Sequence, residues 1–456
     1  MLSFDVIILG GGPGGITAAR VLAHGGKSVA LVEDAHWGGA CLNCGCIPTK
    51  MLLGAVAPQA LLRAQQRVHV VKGSAEVDYT ALQDRISRFI KGSGRTLAEN
   101  LMEMGVALFE GHGFGIAPGR IRLEGANGNT DLAAEYIILA CGTSPASFPD
   151  LAPDGDCVLN STGLLRLAEA PESLIIVGAG AIGIELGDFF AAMGGKVTVI
   201  EAAPHIAPLE DADVAKELLR ALNKNGIVCQ EGVRAKSLGT VGGRARLTLE
   251  NGKVITAAKA LVAVGRAPNT GNLDAEKLGC VLDRCGYVTT NAFLEAAQGI
   301  YAVGDINGMA LLAHAAGHQA AYAAARILGE TDREYAAGPV PSCIYGGTEI
   351  MRVGRTAEAL LKEGKTVEVS RAPLAMNPIA QAGGGCAGFV KVVWDQGSIA
   401  GIAAVGAGVS HLVTVAQLLM KHGYEEQKLR QVMFAHPTLD EIIPLAIRAP
   451  KTRFSA

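Results

Sequence analysis

The 456-residue chain has few aromatic side chains and no marked excess of either charge. Aromatic residues make up 5% of the chain, and the formal net charge is −3 at pH 7. Proteins that bind nucleic acids stack bases on aromatic rings and attract phosphates with clustered lysines and arginines. The sequence provides neither feature, and we therefore expect no nucleic-acid partner.

Long apolar runs and a targeting segment are also missing. The longest apolar candidates, such as 174–184, contain glycines and fall short of the ~20 residues that cross a bilayer. The first five residues carry no basic segment followed by a cleavage site. We therefore expect a cytoplasmic protein without a membrane partner.

The ten cysteines do not resemble a disulfide framework. Such frameworks are typical of short secreted domains, whereas these cysteines are scattered along a long chain. We expect most of them to be reduced and buried, and any disulfide to be catalytic. No cluster of side chains predicts a metal site.

Glycine is abundant, with 59 residues, and part of it forms a pattern that occurs twice. Each copy reads strand, G-x-G-x-x-G, helix, strand and acidic residue, which is typical of the βαβ fold that binds a dinucleotide. The first copy comprises strand 4–9, Gly10, Gly12, Gly15, helix 16–24, strand 28–32 and Glu33, and the second comprises strand 174–177, Gly178, Gly180, Gly183, helix 184–193, strand 196–200 and Glu201.

Each residue of this pattern has a physical role. The first glycine forms a tight turn, the second lets a pyrophosphate approach the helix N-terminus, and the third lets helix and strand pack closely. The acid accepts hydrogen bonds from ribose hydroxyls. A single copy is weak evidence, but two copies in full context predict two dinucleotides, one held permanently and one exchanged.

The remainder of the chain changes character at about residue 337. Before it, strand 299–303 leads into an alanine-rich helix at 311–328. After it, strands 389–394 and 399–405 are joined by a turn and followed by a helix at 409–422. The pattern predicts an α/β protein with two Rossmann-like dinucleotide-binding domains and a C-terminal α+β domain.

Three cysteines lie close together at 38–50, directly after the first fingerprint. We expect a helix to begin here, and a thiol at a helix N-terminus has a lowered pKa. Lys50 adds positive charge one turn later. The glycines and the proline of this segment favour a shaped turn over three buried structural cysteines, which predicts a redox site.

This segment resembles the redox motif of the class I pyridine nucleotide–disulfide oxidoreductases, G-G-x-C-x-N-x-G-C-I-P-[ST]-K. The resemblance covers essentially the whole chain and is strongest to the dihydrolipoamide-oxidising branch of the family. Further similar segments are a flavin-contacting turn at 111–113, the A-T-G-S-x-P turn at 140–145 with Cys141 in place of threonine, G-R-x-P-N-T at 265–270, the flavin-binding stretch at 300–305, and H-P-T-x-x-E at 436–441.

The resemblance implies two cofactors, FAD and NAD. It places an FAD-binding domain at 1–145, an NAD-binding domain at 146–269, a return to the FAD domain at 270–336, and an interface domain at 337–456. The implied FAD residues are Gly10, Gly12, Gly15, Glu33, Lys50, Gly113, Gly142 and Asp305, and the implied NAD residues are Gly178, Gly180, Gly183, Glu201 and Gly265.

The resemblance also implies catalytic roles. Cys41 is the thiol that exchanges with substrate, and Cys46 is the flavin-proximal thiol that forms a charge-transfer pair. Lys50 lies beside the flavin and pairs with Glu185. His436, oriented by Glu441, deprotonates the incoming dithiol and reaches the site of the partner subunit, so the implied assembly is a homodimer. The implied substrate is dihydrolipoamide, free or on a lipoylated carrier protein.

General chemistry supports a histidine in this role. Thiol–disulfide exchange requires a thiolate, and an ordinary thiol with a pKa of ~8.5 is mostly protonated at neutral pH. A histidine paired with a carboxylate supplies the base. His314 and His318 also follow Asp305, and we keep them as weaker candidates for facing the flavin.

Three other cysteines repeat parts of the motif without its context. Cys280 and Cys285 have the same spacing as the redox pair, but the residues between and after them predict a hairpin. Cys44 occupies a variable position of the motif, and a C-x-x-C pairing with Cys41 is the alternative. Cys343 is interpreted as a core residue of the interface domain.

Two segments depart from the dihydrolipoamide-oxidising branch. The usual T-x-P-E after Tyr345 is replaced at 346–349, and the N-x-R-A stretch at 377–380 lacks its arginine. Both leave open which disulfide is the substrate.

The alternatives are therefore a related NAD(P)H-dependent reductase of another small disulfide, or an assembly subunit that retains only the fold. NADP enzymes favour arginines after the second acid, and 202–205 has none. Reductases with an extra C-terminal cysteine pair are disfavoured because no cysteine follows Cys386. An assembly subunit is disfavoured because Cys41, Cys46 and His436 are all present.

Overall fold

A computed structural model of the chain describes residues 1–126 and 128–455. The chain divides into two compact units, each assembled from three segments. Unit 1 comprises Met1–Pro48, Gln83–Ala146 and Gly265–Ala337, and unit 2 comprises Thr49–Leu82, Ser147–Val264 and Gly338–Ala456.

The described part of the chain contains strands in both of its halves. In chain order they are β1 (Leu2–Leu9), β2 (Val29–Glu33), β3 (Ala107–Glu110), β4 (His112–Ala117), β5 (Arg120–Gly125), β6 (Gly128–Leu139), β7 (Thr143–Pro145), β8 (Val158–Leu159), β9 (Ser173–Val177), β10 (Lys196–Ile200), β11 (Val228–Gln230), β12 (Ala235–Val241), β13 (Arg244–Leu249), β14 (Val254–Ala257), β15 (Lys259–Val262), β16 (Arg266–Pro268), β17 (Glu295–Ala297), β18 (Ile300–Ala302), β19 (Pro341–Ile344), β20 (Glu349–Gly354), β21 (Val367–Pro373), β22 (Gly388–Asp395), β23 (Ser398–Gly406) and β24 (Thr452–Phe454).

The α-helices range from one turn to seven. They are α1 (Pro13–His24), α2 (Gly39–Cys44), α3 (Cys46–Arg67), α4 (Tyr79–Glu103), α5 (Ser161–Leu165), α6 (Ala181–Ala192), α7 (Ala212–Lys224), α8 (Ala313–Ile327), α9 (Ala357–Lys362), α10 (Pro378–Ala382), α11 (Val413–Lys421), α12 (Glu426–Gln431) and α13 (Ile442–Arg448).

Unit 1 is built on a sheet in which β1 is central and lies parallel to β2 on one side and β6 on the other. The order continues to β3 at one edge and to β18 and β17 at the other, and the hairpin β4–β5 joins it through β6. The residues Val6–Leu9 are buried because helices and loops cover both faces. The helices α1 and α8 pack together on one face, where small alanine side chains allow close approach.

Unit 2 contains the second parallel sheet, in the order β11-β10-β9-β15-β8. The helix α6 follows β9 as α1 follows β1, so both predicted βαβ units are confirmed. A separate three-stranded antiparallel sheet, β12-β13-β14, lies between β11 and β15 in the chain. This sheet was not predicted from the sequence.

The C-terminal part of unit 2 is the predicted α+β fold. Six strands form the order β19-β20-β23-β22-β21-β24, with antiparallel pairing throughout. The predicted turn between β22 and β23 is present, with positive φ angles of 50° at Gln396 and 83° at Gly397. The helix predicted at 409–422 is a 3₁₀ turn, Val409–Leu412, that continues into α11.

One segment, Gly39–Arg67, which comprises α2 and α3, is long and apolar enough to cross a membrane by length and composition. No such segment was predicted from the sequence, because polar residues interrupt its apolar runs although its mean hydropathy is high. A single run of this kind is weak evidence for a membrane span, since core helices of soluble proteins pass the same test.

Candidate active site

The first dinucleotide fingerprint forms a cradle at the end of β1, which we call the first cradle (Gly10–Gly15 and Glu33). Gly10 has a φ of +104°, which favours glycine. A side chain at Gly15 would place its Cβ 1.9 Å from the carbonyl oxygen of Gly10, so only glycine lets α1 begin there. Gly12, which caps α1, faces nearly open space. The space in front of the helix N-terminus fits a pyrophosphate.

The second fingerprint repeats this geometry in unit 2 and forms the second cradle (Gly178–Gly183 and Glu201). Gly178 has a φ of +102°, and a Cβ at Gly183 would lie 2.0 Å from the carbonyl oxygen of Gly178. Nothing lies within 4 Å of where a Cβ of Gly180 would be. The backbone geometry of the three glycines is therefore the same in both cradles.

The two acidic residues are held in the same way. Glu33 accepts the N–H of Gly11 at 2.6 Å through one carboxylate oxygen and the N–H of Ala35 at 2.9 Å through the other. Burial raises the pKa of Glu33, although the backbone N–H groups act against that change. These bonds fix the carboxylate at the end of β2, where its remaining lone pairs can accept ribose hydroxyls.

Glu201 makes the equivalent contacts. It accepts the N–H groups of Ala179 and Ala203, each at 2.7 Å, through different oxygens. Both cradles therefore have the shape and the hydrogen-bonding groups that a dinucleotide requires.

A polar cluster in unit 1 connects three segments that the sequence analysis treated separately. Thr143 donates its hydroxyl to Asp305 at 2.7 Å, and the Arg266 Nε donates to the Thr143 hydroxyl oxygen at 2.7 Å. The Arg266 Nε lies 3.8 Å from the Asp305 carboxylate. The pairing of β7 with β16 brings these residues together. Thr143 and Arg266 were missed as site residues, although both lie in the quoted motifs.

Two other glycines predicted to contact a cofactor have positive φ angles, and a third does not. Gly142 and Gly265 have φ angles of +65° and +123°, with open space where a Cβ would be. Gly113 was expected in a flavin-contacting turn but lies inside β4, and the turn itself is at Gly111. A Cβ at Gly113 would lie 2.9 Å from the Leu9 side chain, so this glycine lets β4 pack against the sheet.

The redox cysteines lie at the beginning of two successive helices. Cys41 is in the first turn of the short helix α2, and Cys46 is the first residue of α3. Gly45 separates the helices, with φ −144° and ψ −111°. One helix was predicted here from the sequence. Cys46 is exposed and Cys41 half-buried.

The redox segment is attached directly to the first cradle. Gly38 donates its N–H to the carbonyl of Gly11 at 2.9 Å. A Cβ at Gly39 would lie 2.8 Å from the Cα of Gly12. Asn43 donates to the carbonyl of Gly39 at 2.9 Å. The paired glycines of the motif therefore let the cysteine helix approach the turn that would hold a dinucleotide.

The predicted pair of Lys50 and Glu185 is present in unit 2. The Lys50 Nζ lies 2.6 Å from one carboxylate oxygen of Glu185, and the N–H of Tyr345 donates to the other at 3.1 Å. Burial raises the pKa of Glu185, and the charge of Lys50 counters this effect. The ion pair keeps a positive charge on α3, four residues after Cys46.

The predicted pair of His436 and Glu441 is also present. The His436 Nδ1 lies 3.0 Å from Glu441, which also accepts the N–H of Thr438 at 2.9 Å. The Thr438 N–H and His436 lower the pKa of Glu441, so the carboxylate stays ionised. His436 is exposed, and its Nε2 is the ring nitrogen opposite the carboxylate.

One supporting residue of this turn was missed. Asn377 is 1% exposed, donates to the Thr438 carbonyl at 2.9 Å and caps α10 through its side-chain oxygen. It is the asparagine of the altered N-x-R-A stretch. That stretch therefore retains a role in holding the histidine turn although its arginine is absent.

Comparison with known proteins agrees with this geometry. Residues 4–320 match the model of the pyridine nucleotide-disulphide oxidoreductase family, and residues 340–447 match the dimerisation domain of the same family.

Similar curated proteins include a dihydrolipoyl dehydrogenase of Chlorobaculum tepidum, which is 34% identical over 448 residues that cover 96% of this chain and 95% of the relative. A dihydrolipoyl dehydrogenase of Trypanosoma brucei brucei is 34% identical over 462 residues, covering 98% of this chain and 96% of the relative.

Similar solved structures include LpdA from Mycobacterium tuberculosis, with a TM-score of 0.90, 28% identity, and coverage of 98% of this chain and 99% of that one. The HOCl-induced flavoprotein disulfide reductase RclA from Escherichia coli has a TM-score of 0.85 and 27% identity, and covers 97% of this chain and 99% of its own.

Proposed function

The chain belongs to the pyridine nucleotide-disulphide oxidoreductase family, and we propose that it oxidises a dihydrolipoyl dithiol with NAD. Membership of the family implies the use of FAD and a nicotinamide dinucleotide. One observation carries the proposal: a cysteine pair on helix N-termini and a histidine held by a carboxylate occur together in this chain. Relatives named dihydrolipoyl dehydrogenase, similar along nearly their whole length, indicate the substrate.

The thiol chemistry begins at His436. Its Nε2 takes a proton from one substrate thiol, while Glu441 stabilises the imidazolium that forms. The substrate thiolate attacks the Cys41 sulfur of the oxidised Cys41–Cys46 pair, and Cys46 leaves as a thiolate. The second substrate thiol loses its proton and attacks its own mixed disulfide, which releases the Cys41 thiolate and the lipoyl disulfide.

The two electrons are then on the cysteine pair. A bound flavin would supply the chemistry that carries these electrons from the dithiol pair to a nicotinamide. Residues of the first cradle and the Thr143–Arg266–Asp305 cluster would hold the flavin dinucleotide, and the second cradle would hold NAD. Lys50 keeps a positive charge at the start of α3, which favours negative charge on neighbouring groups.

Two features favour NAD over NADP. Glu201 would repel a 2′-phosphate and accept a free ribose hydroxyl. No arginine lies at 202–205 to bind such a phosphate. The alternative, an NAD(P)H-dependent reductase of another small disulfide, is the less favoured reading.

The site is proposed to be shared between two copies of the chain. The dimerisation domain at 340–447 carries His436, and we infer that this residue acts on the partner's cysteines. We also propose that the enzyme is cytoplasmic and that its substrate is a lipoylated carrier protein.

Steady-state kinetics tests the proposal. Dihydrolipoamide with NAD should give a kcat/KM far above that of glutathione disulfide with NADH or NADPH, and a lipoylated carrier protein should be used better still. Preference for another disulfide in the reductive direction would contradict the proposed substrate.

A further inference from the structure

Helix α6 carries two buried carboxylates one turn apart, and only one belongs to the chemistry described above. Glu185 is 4% exposed and pairs with Lys50, whereas Asp188 is 7% exposed and has no role in the redox steps. Buried carboxylates are costly unless hydrogen-bonded, so the contacts of Asp188 indicate what it stabilises.

Asp188 holds the loop that departs from the family pattern. Its carboxylate accepts the N–H of Gly347 at 2.7 Å and the side chain of Asn225. A Cβ at Gly346 would lie 2.7 Å from the same carboxylate, and Gly346 has a φ of +155°. The threonine usual at this position would require the carboxylate or the loop to shift. The two glycines and Asp188 therefore form one matched arrangement.

The loop positions Tyr345, which is fixed at three points. Its backbone N–H donates to Glu185, its ring lies under Lys50 with the Nζ 4.5 Å from the ring centroid, and its hydroxyl donates to the Cys343 thiol. An ammonium over an aromatic face is attracted to it. Tyr345 thus contacts both members of the Lys50–Glu185 pair.

We propose that Tyr345, held in place by Asp188 through Gly346 and Gly347, is a positioning residue that confines the Lys50 ammonium. The inference rests on the proposed function, because it requires a flavin beside Lys50. The Lys50 side chain is long and 36% exposed, so Glu185 alone leaves its ammonium free to turn about one contact. The Tyr345 ring restricts the ammonium on the side that Glu185 does not contact. The ring therefore keeps the positive charge at the place where it stabilises reduced flavin.

The test measures the two-electron midpoint potential of the FAD-loaded enzyme. Tyr345→Leu removes the ring and should lower the equilibrium constant for two-electron reduction of the flavin by about tenfold. This corresponds to a midpoint potential that is lower by about 30 mV. Tyr345→Phe keeps the ring and should stay within about twofold of the wild type, because cation–π attraction does not need the hydroxyl. Phe389→Leu is the matched control, since it removes the ring that faces Arg371 and should leave the potential unchanged.

A second variant covers the case in which Tyr345→Leu fails to fold. Gly346→Ala leaves the ring intact but forces the loop away from Asp188, and should lower the potential in the same direction. An unchanged or raised potential in either folded variant would overturn the inference.

The outcomes separate this inference from the proposed substrate. An enzyme that oxidises dihydrolipoamide but has the same potential in Tyr345→Leu would refute the role of Tyr345 alone. An enzyme that shows the shift but does not oxidise dihydrolipoamide would refute the substrate alone.

Discussion

Single residues determine which of the ten cysteines can react. Burial raises the pKa of Cys141 and Cys229 to about 12 and that of Cys280 and Cys343 to about 11. Such thiols are poor nucleophiles at neutral pH. The predictions that Cys280 and Cys343 are structural agree with these surroundings.

Replacing either redox cysteine should abolish dithiol oxidation without loss of FAD. Cys41→Ser and Cys46→Ser each remove one sulfur of the exchanging pair, while the cradle that would hold FAD is unchanged. Cys44→Val is the control and should be nearly silent. Turnover assays and the flavin spectrum check both results. Large activity loss in Cys44→Val, or a Cys41–Cys44 crosslink, would show that the third cysteine takes part.

Glu201 should determine the choice of nicotinamide. We expect NAD to have the higher kcat/KM, and Glu201→Ala to lower its advantage over NADP by about 10- to 100-fold, the value of a hydrogen bond to a charged group. The measurement is kcat/KM for both dinucleotides in both proteins. Equal use of NADP by the wild type would show that the second cradle has been misread.

The elements that could be predicted are those whose sequence pattern is local. Both βαβ units follow from glycine spacing and short apolar runs, and the β22–β23 hairpin follows from its turn residues. The break at Gly45 was missed although glycine disfavours a helix interior. The Asp188–Gly347 and Thr143–Arg266–Asp305 contacts were missed because they join segments far apart in the chain. The domain boundaries given above remain predictions.

Helix α7 is fastened to the C-terminal sheet by buried charges. Lys391 on β22 is 2% exposed and lies 2.6 Å from Asp211 and 2.8 Å from Asp213. Asp211 also accepts the N–H groups of Ala357 and Glu358 at the start of α9. Burial opposes ionisation of Asp211, but Lys391 and these N–H groups outweigh it and lower its pKa.

Asp211→Asn should therefore destabilise the protein at neutral pH. We expect the free energy of unfolding to fall by about 3 kcal/mol. This is the lower end of the range for a broken buried ion pair, because Asp213 still faces the Lys391 ammonium. The pKa of Asp211 in the folded state lies below the ordinary value of 3.8. The ionised Asp211 therefore contributes fully to stability above pH 3.8, and this contribution is lost as the pH falls through the folded-state pKa. Denaturant unfolding at pH 7 and below 3.8 measures this. A deficit that persists unchanged at low pH would contradict the assignment.

The whole molecule acts through two copies if His436 serves the partner's cysteines. General-base catalysis contributes ~10²–10⁴-fold, so His436→Gln should lower dithiol oxidation by that order with FAD retained. Glu441→Gln should cost less, because it orients the base without carrying the proton. Kinetics of the two variants checks the order.

Subunit mixing tests the sharing directly. Inactive Cys41→Ser and His436→Gln subunits should regain activity when they form heterodimers, because one of the two composite sites then has no defect. If both residues met within one chain, every site would keep one defect. A verified heterodimer without activity would therefore refute the shared site.

The two cradles make the same contacts, and this has a consequence for ligand identity. Their glycines and carboxylates can contact only a pyrophosphate and the adjoining ribose. Both groups belong to the ADP moiety that FAD and NAD share. Neither cradle can distinguish the two molecules by that moiety alone. Discrimination must arise where the ligands differ, and in unit 1 the hydroxyl, guanidinium and carboxylate of Thr143, Arg266 and Asp305 provide polar groups for the unshared portion. Free ADP should consequently be a common competitor at both places.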